Sequence, residues 1–544
     1  MENIVDNPHQ RTPLPNQDCY EYTTGRWSQY LDRVALVDSA SGAKYTYGEV
    51  QDAVHNIAGH LQALGLSRGT NLAVCASNCV EIPIIQLAVW KLGGMVTFLN
   101  PLLKPGEISV SIKDTNPTFL FLDEEKCRML SAVIPEKSIV LTKEDVEGFR
   151  SFASLKAPIE WQPEAFTRDL DNPAIILFSS GTTGPPKAVL LSHINFLACV
   201  GGYTCALEAG TLRVSKWTNC IIYLPISHLY GQLLINTNFI GGATSITMPR
   251  FDMKRYLQLN ADYKCEVMSL VPPLAVLFSK NKEVLAKYDL SSVNGILCGA
   301  AFLHPEVTQE LLKIIPTETN GIAQGYGMTE VGISNMMPSD SLMATHGAPD
   351  LPSSVGLPMP HYKLAVRDLK NGEFLPANKH GEICVSGPGV MMGYLNNKEA
   401  TDAMIDANGW LATGDIGYYD SNGYFYIVDR LKELIKYKGH QVSPSEMEDL
   451  LLTHPNIADA GVVGFPDLEC GELPSAFIVL KPGKNLTVDE IRKFVAEKAA
   501  PFKKLRGPIE LVSQIPRTGS GKILRRCMLS NLQEQHGCGD YSRE

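Results

Sequence analysis

The chain has 544 residues, more than one folding unit normally holds at about 100–200 residues per domain. With 44% hydrophobic and 19% charged residues it has the composition of a soluble globular protein, and a net charge of −10 argues against nucleic acid as the main partner. Its 13 cysteines include no CxxC pair and no histidine completes a zinc set near Cys75 and Cys79, so free thiols in a reducing compartment are expected.

The opening Met1-Glu-Asn-Ile-Val-Asp-Asn7 lacks the basic and apolar regions of a signal peptide. Residues up to about 30 are polar and proline-bearing and are expected to wrap a surface. Tyr45-Thr46-Tyr47-Gly48-Glu49 opens a helix, with Thr46 as cap and Glu49 completing a capping box. In Ile82 to Leu99, Gln86 and Lys91 interrupt the apolar run, which favours a buried helix leading into a strand over a membrane span. Asn71–Cys75, Met95–Phe98 and Thr118–Leu122 read as strands separated by helices, the alternation of parallel α/β layers.

Ala174-Ile-Ile-Leu-Phe178 is a buried-strand run that leads into Ser179-Ser-Gly-Thr-Thr-Gly-Pro-Pro-Lys187. Hydroxyls of Ser179, Ser180, Thr182 and Thr183, the turn-forming Gly181 and Gly184, and the ammonium of Lys187 make a phosphate cradle. It is not a Walker A loop, because Lys187 follows Pro186 and precedes Ala188. A helix is expected from Ser192-His193 onward. Further strand ends follow at Cys220–Gly231, which carries His228, at Gly295–Ala301, and at Gly321–Glu330. Small, aromatic and acidic residues gathered at strand ends are how open α/β sheets present a ligand crevice.

From about residue 380 the texture changes to short strands and many turns. The charged run Asp429-Arg-Leu-Lys-Glu-Leu-Ile-Lys-Tyr-Lys-Gly-His-Gln441 marks the main boundary, and a smaller α/β unit with a helix over Val488–Ala499 follows. Pro516-Arg-Thr-Gly-Ser-Gly-Lys-Ile523 reads, on its own residues, as a mobile loop ending in a solvated Lys522. The closing Ser542-Arg543-Glu544 does not fit a peroxisomal signal, and the chain is expected to be cytoplasmic.

In this order, the motifs at Ser179–Lys187, Tyr223–Gly231, Gln324–Glu330, Thr413–Asp415 through Asp429–Gln441, and Pro516–Lys522 resemble those of the adenylate-forming family. That family comprises acyl-CoA synthetases, peptide-synthetase adenylation domains and beetle luciferases, and the likeness runs from about residue 30 to 525. It implies an α/β fold: a large N-terminal AMP-binding domain of layered α/β subdomains over residues 1–429, and a small mobile C-terminal α/β domain over 430–544, hinged near 430–432. It implies ATP, Mg2+ and coenzyme A as cofactors and a small carboxylic acid as substrate. By the resemblance, Ser179, Ser180, Gly181, Thr182, Thr183, Gly184 and Lys187 hold the β- and γ-phosphates. Gly299, Ala300, Ala301, Gln324, Gly325 and Tyr326 frame adenine. Asp415 holds the ribose with Arg430 assisting, Glu330 is the magnesium ligand, and Thr329 contacts the α-phosphate. Lys432 lies at the hinge, while Lys436, Gln441 and Gly439 belong to the thioester stage. Lys522 contacts the reacting carboxylate and α-phosphate, which replaces the solvated reading of that lysine, and His228 lines the acid pocket. Ala188 departs from the glycine often found after the loop lysine.

The run Asp429–Gly439 is closest in texture to 4-coumarate–CoA ligases. Those ligases carry a lysine where this chain has Leu297, and a buried phenol left without its partner costs about 1–3 kcal/mol. The expected acid is therefore aryl or medium-length aliphatic, with Tyr230, Leu297, Ile333, Ser334 and Asn335 as candidate pocket lining. Only about 20 residues follow Lys522, too few for a fused carrier domain, though a separate carrier protein stays open as acceptor. Ser227-His228-Leu229 lacks the paired histidines of luciferases. A non-catalytic nucleotide or acyl-CoA sensor is disfavoured by the presence of Lys522, Glu330 and Asp415 together.

Overall fold

A computed structural model describes residues 3–7, 13–135, 137–142, 145, 149–164, 166–179, 186–208, 219–299, 303, 305–315, 317, 322–337, 354–438, 440–467, 469–517 and 521–536. The fold is a large, mostly α/β N-terminal part with a smaller C-terminal α/β part. The first eight-stranded sheet is built on Asn71–Cys75, parallel to Met95–Phe98 on one side and to Phe119–Leu122 on the other. Each of these short apolar runs is covered on both faces, as the alternation with helices predicts.

Within that sheet Pro173–Ser179 runs parallel to Met95–Phe98 and antiparallel to Lys187–Ser192, with Lys187 opposite Ser179. The two ends of the phosphate-loop motif are thereby held side by side. The helix His193–Glu208 follows at once. Ala188 lies in this strand opposite Phe178 with its methyl buried, so the departure from glycine fits ordinary strand backbone. Tyr47–Ala63 is capped by Thr46 and Glu49 in a full capping box. The Ile82–Leu99 run forms the helix Glu81–Lys91 and the strand Met95–Phe98, and Trp90 donates from Nε1 to the Ala174 carbonyl at 2.9 Å. Among the described residues no helix is long and apolar enough to cross a membrane.

A second sheet takes Val267–Leu270, Gly295–Cys298 and Ile322–Met328 in parallel, then folds back through Gly332–Met336 to Leu357–Pro358. A four-stranded sheet is built from Val34–Asp38, Lys44–Thr46, Cys220–Ile222 and Ser245–Thr247. Another, of five antiparallel strands, ends with Leu411–Tyr419 beside Phe425–Arg430. The C-terminal part packs the helices Pro444–Leu452 and Val488–Lys498 on a sheet whose longest strands are Ile457–Asp467 and Gly471–Leu480. Its own apolar core includes Ile435, Leu451, Val462, Ile478, Ile491 and Val495. Where the chain passes between the two parts, the buried Asp429 carboxylate accepts hydrogen bonds from Ser443 Oγ and the Ser445 amide.

Candidate active site

The carboxyl ends of Gly295–Cys298 and Ile322–Met328 open into a cavity of about 1260 Å³, where residues from both parts of the chain meet. One wall is polar and carries Thr329, Glu330, Thr413, Arg430 and Lys522. The other is largely apolar, with Tyr230, Leu297, Cys298, Ile333 and Met336.

Local backbone geometry sets these positions. Strand Ile322–Met328 turns back at Val331, and a side chain on Gly327 would put a Cβ 2.1 Å from the Gly332 carbonyl oxygen. An extra residue interrupts the pairing beside Tyr326/Gly327, so Ile333 and Met336 face the cavity while Ser334 and Asn335 turn into the interior. Ser334 and Asn335, candidate pocket residues by sequence, thus lie in the packed sheet, where Ser334 Oγ donates to Asn335 Oδ1 at 2.9 Å. Gln324 also stays in the sheet, its carbonyl accepting from the Met337 amide at 3.1 Å, and the adenine-frame positions on the cavity are Gly299, Gly325 and Tyr326.

Asp415 and Arg430 are direct cross-strand partners, with Arg430 Nε 2.9 Å from Asp415 Oδ1. Tyr326 donates its hydroxyl to Asp415 Oδ2 at 2.6 Å. The strand just before Asp415 is held by the Gly414 amide, which donates to Glu382 Oε1 at 3.0 Å, and by Thr413 Oγ1, which donates to the Ile383 carbonyl at 2.8 Å. Burial, and then the neighbouring carboxylate, push the Tyr326 phenol well above its ordinary range, so it remains a donor.

Glu330 is buried and accepts the Tyr394 hydroxyl at 2.8 Å. The same ring carries Lys187 over its face, with Nζ 4.6 Å from the centroid. Tyr394 was not legible as a site residue, since it follows a plain Met391-Met392-Gly393 run and meets Glu330 only through the fold. Cys298, Met336, Glu382 and Arg526 likewise join the lining without a motif to announce them.

His228 caps the helix Leu229–Gly241, and its Nδ1 accepts from the Tyr230 amide at 3.3 Å. That leaves Nε2 as the protonated nitrogen. Burial, with the positive charge of Lys522 second, lowers its pKa to about 4, so the ring is neutral at pH 7. Tyr230 donates its hydroxyl to the Leu297 carbonyl at 3.2 Å, which satisfies the phenol within the wall and leaves an apolar surface.

Lys522 is half-buried in this cavity, contrary to the solvated loop expected from its glycines alone. Burial and then Arg430 lower its pKa, while Asp415, Glu330 and Glu433 pull it back up. Arg430, Leu431 and Lys432 line the cavity where the chain passes into the C-terminal part. Lys436 is exposed and pairs with Gln441 across a short hairpin outside the cavity lining. Ser179 and Lys187 line the cavity, whereas Ser180, Gly181, Thr182, Thr183, Gly184, Ala300, Ala301 and Gly439 lie outside the described residues, as does the side chain of Gln441.

Residues 24–395 match the family described as AMP-binding enzyme, and residues 446–522 match the AMP-binding enzyme C-terminal domain. The chain belongs to the AMP-binding, adenylate-forming enzymes. It is 36% identical over 526 residues to Peroxisomal OPC-8:0-CoA ligase 1 of Arabidopsis thaliana, covering 95% of this chain and 94% of that protein. It is also 36% identical over 529 residues to 4-coumarate–CoA ligase-like 2 of the same plant, covering 94% and 91%. Among solved structures, ATP-bound MatB from Rhodopseudomonas palustris superposes with a TM-score of 0.83 at 25% identity, covering 96% of this chain and all of that one. An adenylate-forming enzyme activates an acid, and the polar and apolar walls here suit the two ends of that task.

Proposed function

We propose that this adenylate-forming enzyme is an ATP-dependent carboxylic acid–CoA ligase. It activates an aryl or medium-length aliphatic acid as the acyl-adenylate, with release of pyrophosphate, and then transfers the acyl group to the thiol of CoA. The observation that carries the reading is the placement of half-buried Lys522 in one cavity with Thr329, Glu330, His228 and an apolar wall.

Both reactants of the first step are anionic. The Lys522 ammonium reduces their repulsion as a carboxylate oxygen bonds to the α-phosphorus and the α–β bridging bond breaks, its electron pair leaving with pyrophosphate. His228, neutral and protonated on Nε2, donates to the carboxylate without adding a charge. Asp415 and Arg430 orient the ribose, and Lys187 with the loop donors holds the departing phosphates. Glu330 is the one acidic residue proposed as a metal ligand, which suits magnesium, an ion that takes one or two protein carboxylates and completes its shell with phosphate and water; bound there, it would neutralise phosphate charge.

For the second step the small domain, residues 430–544, turns about 430–432, withdraws Lys522 and presents Lys436, Gly439 and Gln441. The thiolate attacks the acyl carbonyl and AMP leaves. The apolar Leu297 and the internally satisfied Tyr230 favour an acid without a buried phenol.

The test incubates the protein with ATP, magnesium and a panel of acids, with and without CoA, and reads products by mass spectrometry. Acyl-CoA from aryl or medium-chain acids is the expected result. Acyl-adenylate that accumulates unchanged with CoA would replace CoA by a carrier protein, and no adenylate from any acid would leave a nucleotide-binding sensor.

A further inference from the structure

The two arms that flank Lys522 form a braced hairpin. Arg517 and Ile523 pair across it, and Arg517 donates to the Gly521 carbonyl at 3.1 Å. The same guanidinium holds Asp459 at 2.9 and 3.1 Å, at the start of the longest strand of the C-terminal part. Next to Asp459, the Ala458 carbonyl accepts Lys280 Nζ at 3.4 Å, and Lys280 ends the helix Pro272–Lys280 of the N-terminal part. The other end of that helix meets Gly521, on the second arm. Gly521 has φ +88°, and a Cβ there would lie 2.4 Å from Cγ and 2.7 Å from Cδ of Pro273, but 3.7 Å from its Cβ.

These contacts define a seat. The helix Pro272–Lys280 opens with two prolines, whose fixed rings make its first turn stiff. We propose that this helix is the docking seat of the Lys522 hairpin in the adenylation step, and that Gly521 is the positioning residue that sets how closely the hairpin sits. Lys522 is the next residue, so a hairpin lifted off Pro273 carries its ammonium out of reach of the reacting groups. The inference rests on the proposed role of Lys522. Because the small domain leaves this seat for the thioester step, the seat matters to the first half-reaction and not to the second.

The test uses full-length Gly521→Ala, Pro273→Ala and the double variant, with Lys522→Ala alongside. ATP–pyrophosphate exchange with cinnamic and octanoic acids reads the first half-reaction, and transfer from the synthetic acyl-adenylates to CoA reads the second. Gly521→Ala is expected to slow exchange about 100-fold, from overlap with Pro273 together with a left-handed backbone that alanine tolerates poorly. Transfer is expected to stay near wild type, which also shows the variant is folded. Pro273→Ala removes the two close atoms and leaves the third in ordinary contact. In the double variant exchange is expected to recover to within about tenfold of Pro273→Ala alone, the remainder being backbone strain. If Gly521→Ala loses both half-reactions equally, or the double variant is no faster than Gly521→Ala, the seat is overturned. If Lys522→Ala loses both equally, the underlying role of Lys522 is what fails.

Discussion

At the residue scale the site separates charges that must persist from groups that must stay neutral. His228 has its free value near 6.5 in the unfolded chain and about 4 in the fold. Its contribution to stability is therefore complete above pH 6.5 and is lost as pH falls toward 4, by about 3 kcal/mol, because only the unfolded chain takes up the proton in that window. The pH profile of pyrophosphate exchange should accordingly show no inflection near 6.5 from this ring. Such an inflection, abolished in His228→Asn, would contradict a neutral donor. Tyr394 makes a second prediction. Its hydroxyl is a donor to the buried Glu330, and a hydrogen bond to a charged group is worth about 1.5–3 kcal/mol. Tyr394→Phe should raise the KM for magnesium-ATP about tenfold or more with a smaller change in kcat; an unchanged KM would remove Tyr394 from the nucleotide site. Sequence could not name this tyrosine, because Glu330 lies 64 positions away and the pairing exists only after two sheets meet. Glu330 could be placed just past a strand end from the sequence because it closely follows the run Ile322–Met328, whereas its proposed role comes from the family resemblance.

At the element scale, the turn between Ile322–Met328 and Gly332–Met336 bears most of the arrangement. Gly327 meets backbone rather than a movable side chain, with 2.1 Å to the Gly332 oxygen, so Gly327→Ala must open the hairpin that carries Tyr326 and Glu330. A loss of about 3 kcal/mol or more is expected, read as a fall in Tm together with loss of AMP binding. A variant with native Tm and AMP affinity would show the hairpin to be pliable. The same turn explains why Ser334 and Asn335 lie in the packed sheet rather than on the cavity. Strict alternation after Ile333 would send Asn335 to the cavity, but the extra residue moves that place to Met336. Elements with plain periodicity, such as the capped helix Tyr47–Ala63 and the strands Asn71–Cys75 and Met95–Phe98, follow their sequence signals closely. Bulges carry no such signal.

At the scale of the whole molecule, the decisive feature is that two parts with their own cores build one site. The glycines around Lys522 describe a flexible loop when taken alone, and charges that act on that lysine come from residues more than 90 positions upstream, among them Asp415 and Arg430. Within the C-terminal part the hairpin is followed by Arg525, which joins Glu433 at 3.0 Å to Glu448 at 2.8 Å, so the segment after residue 432 is tied to the Lys522 region. In the proposed second step, a domain tied together this way would withdraw the Lys522 charge by turning as a unit. The measurement that tests this most directly compares the two half-reactions in Lys522→Ala with a substrate acid from the panel. The account predicts that adenylate formation falls by about 100-fold or more, as for loss of a group that acts at the transition state, while transfer from supplied acyl-adenylate to CoA largely survives. Equal loss of both, or adenylate formation that persists, would contradict it.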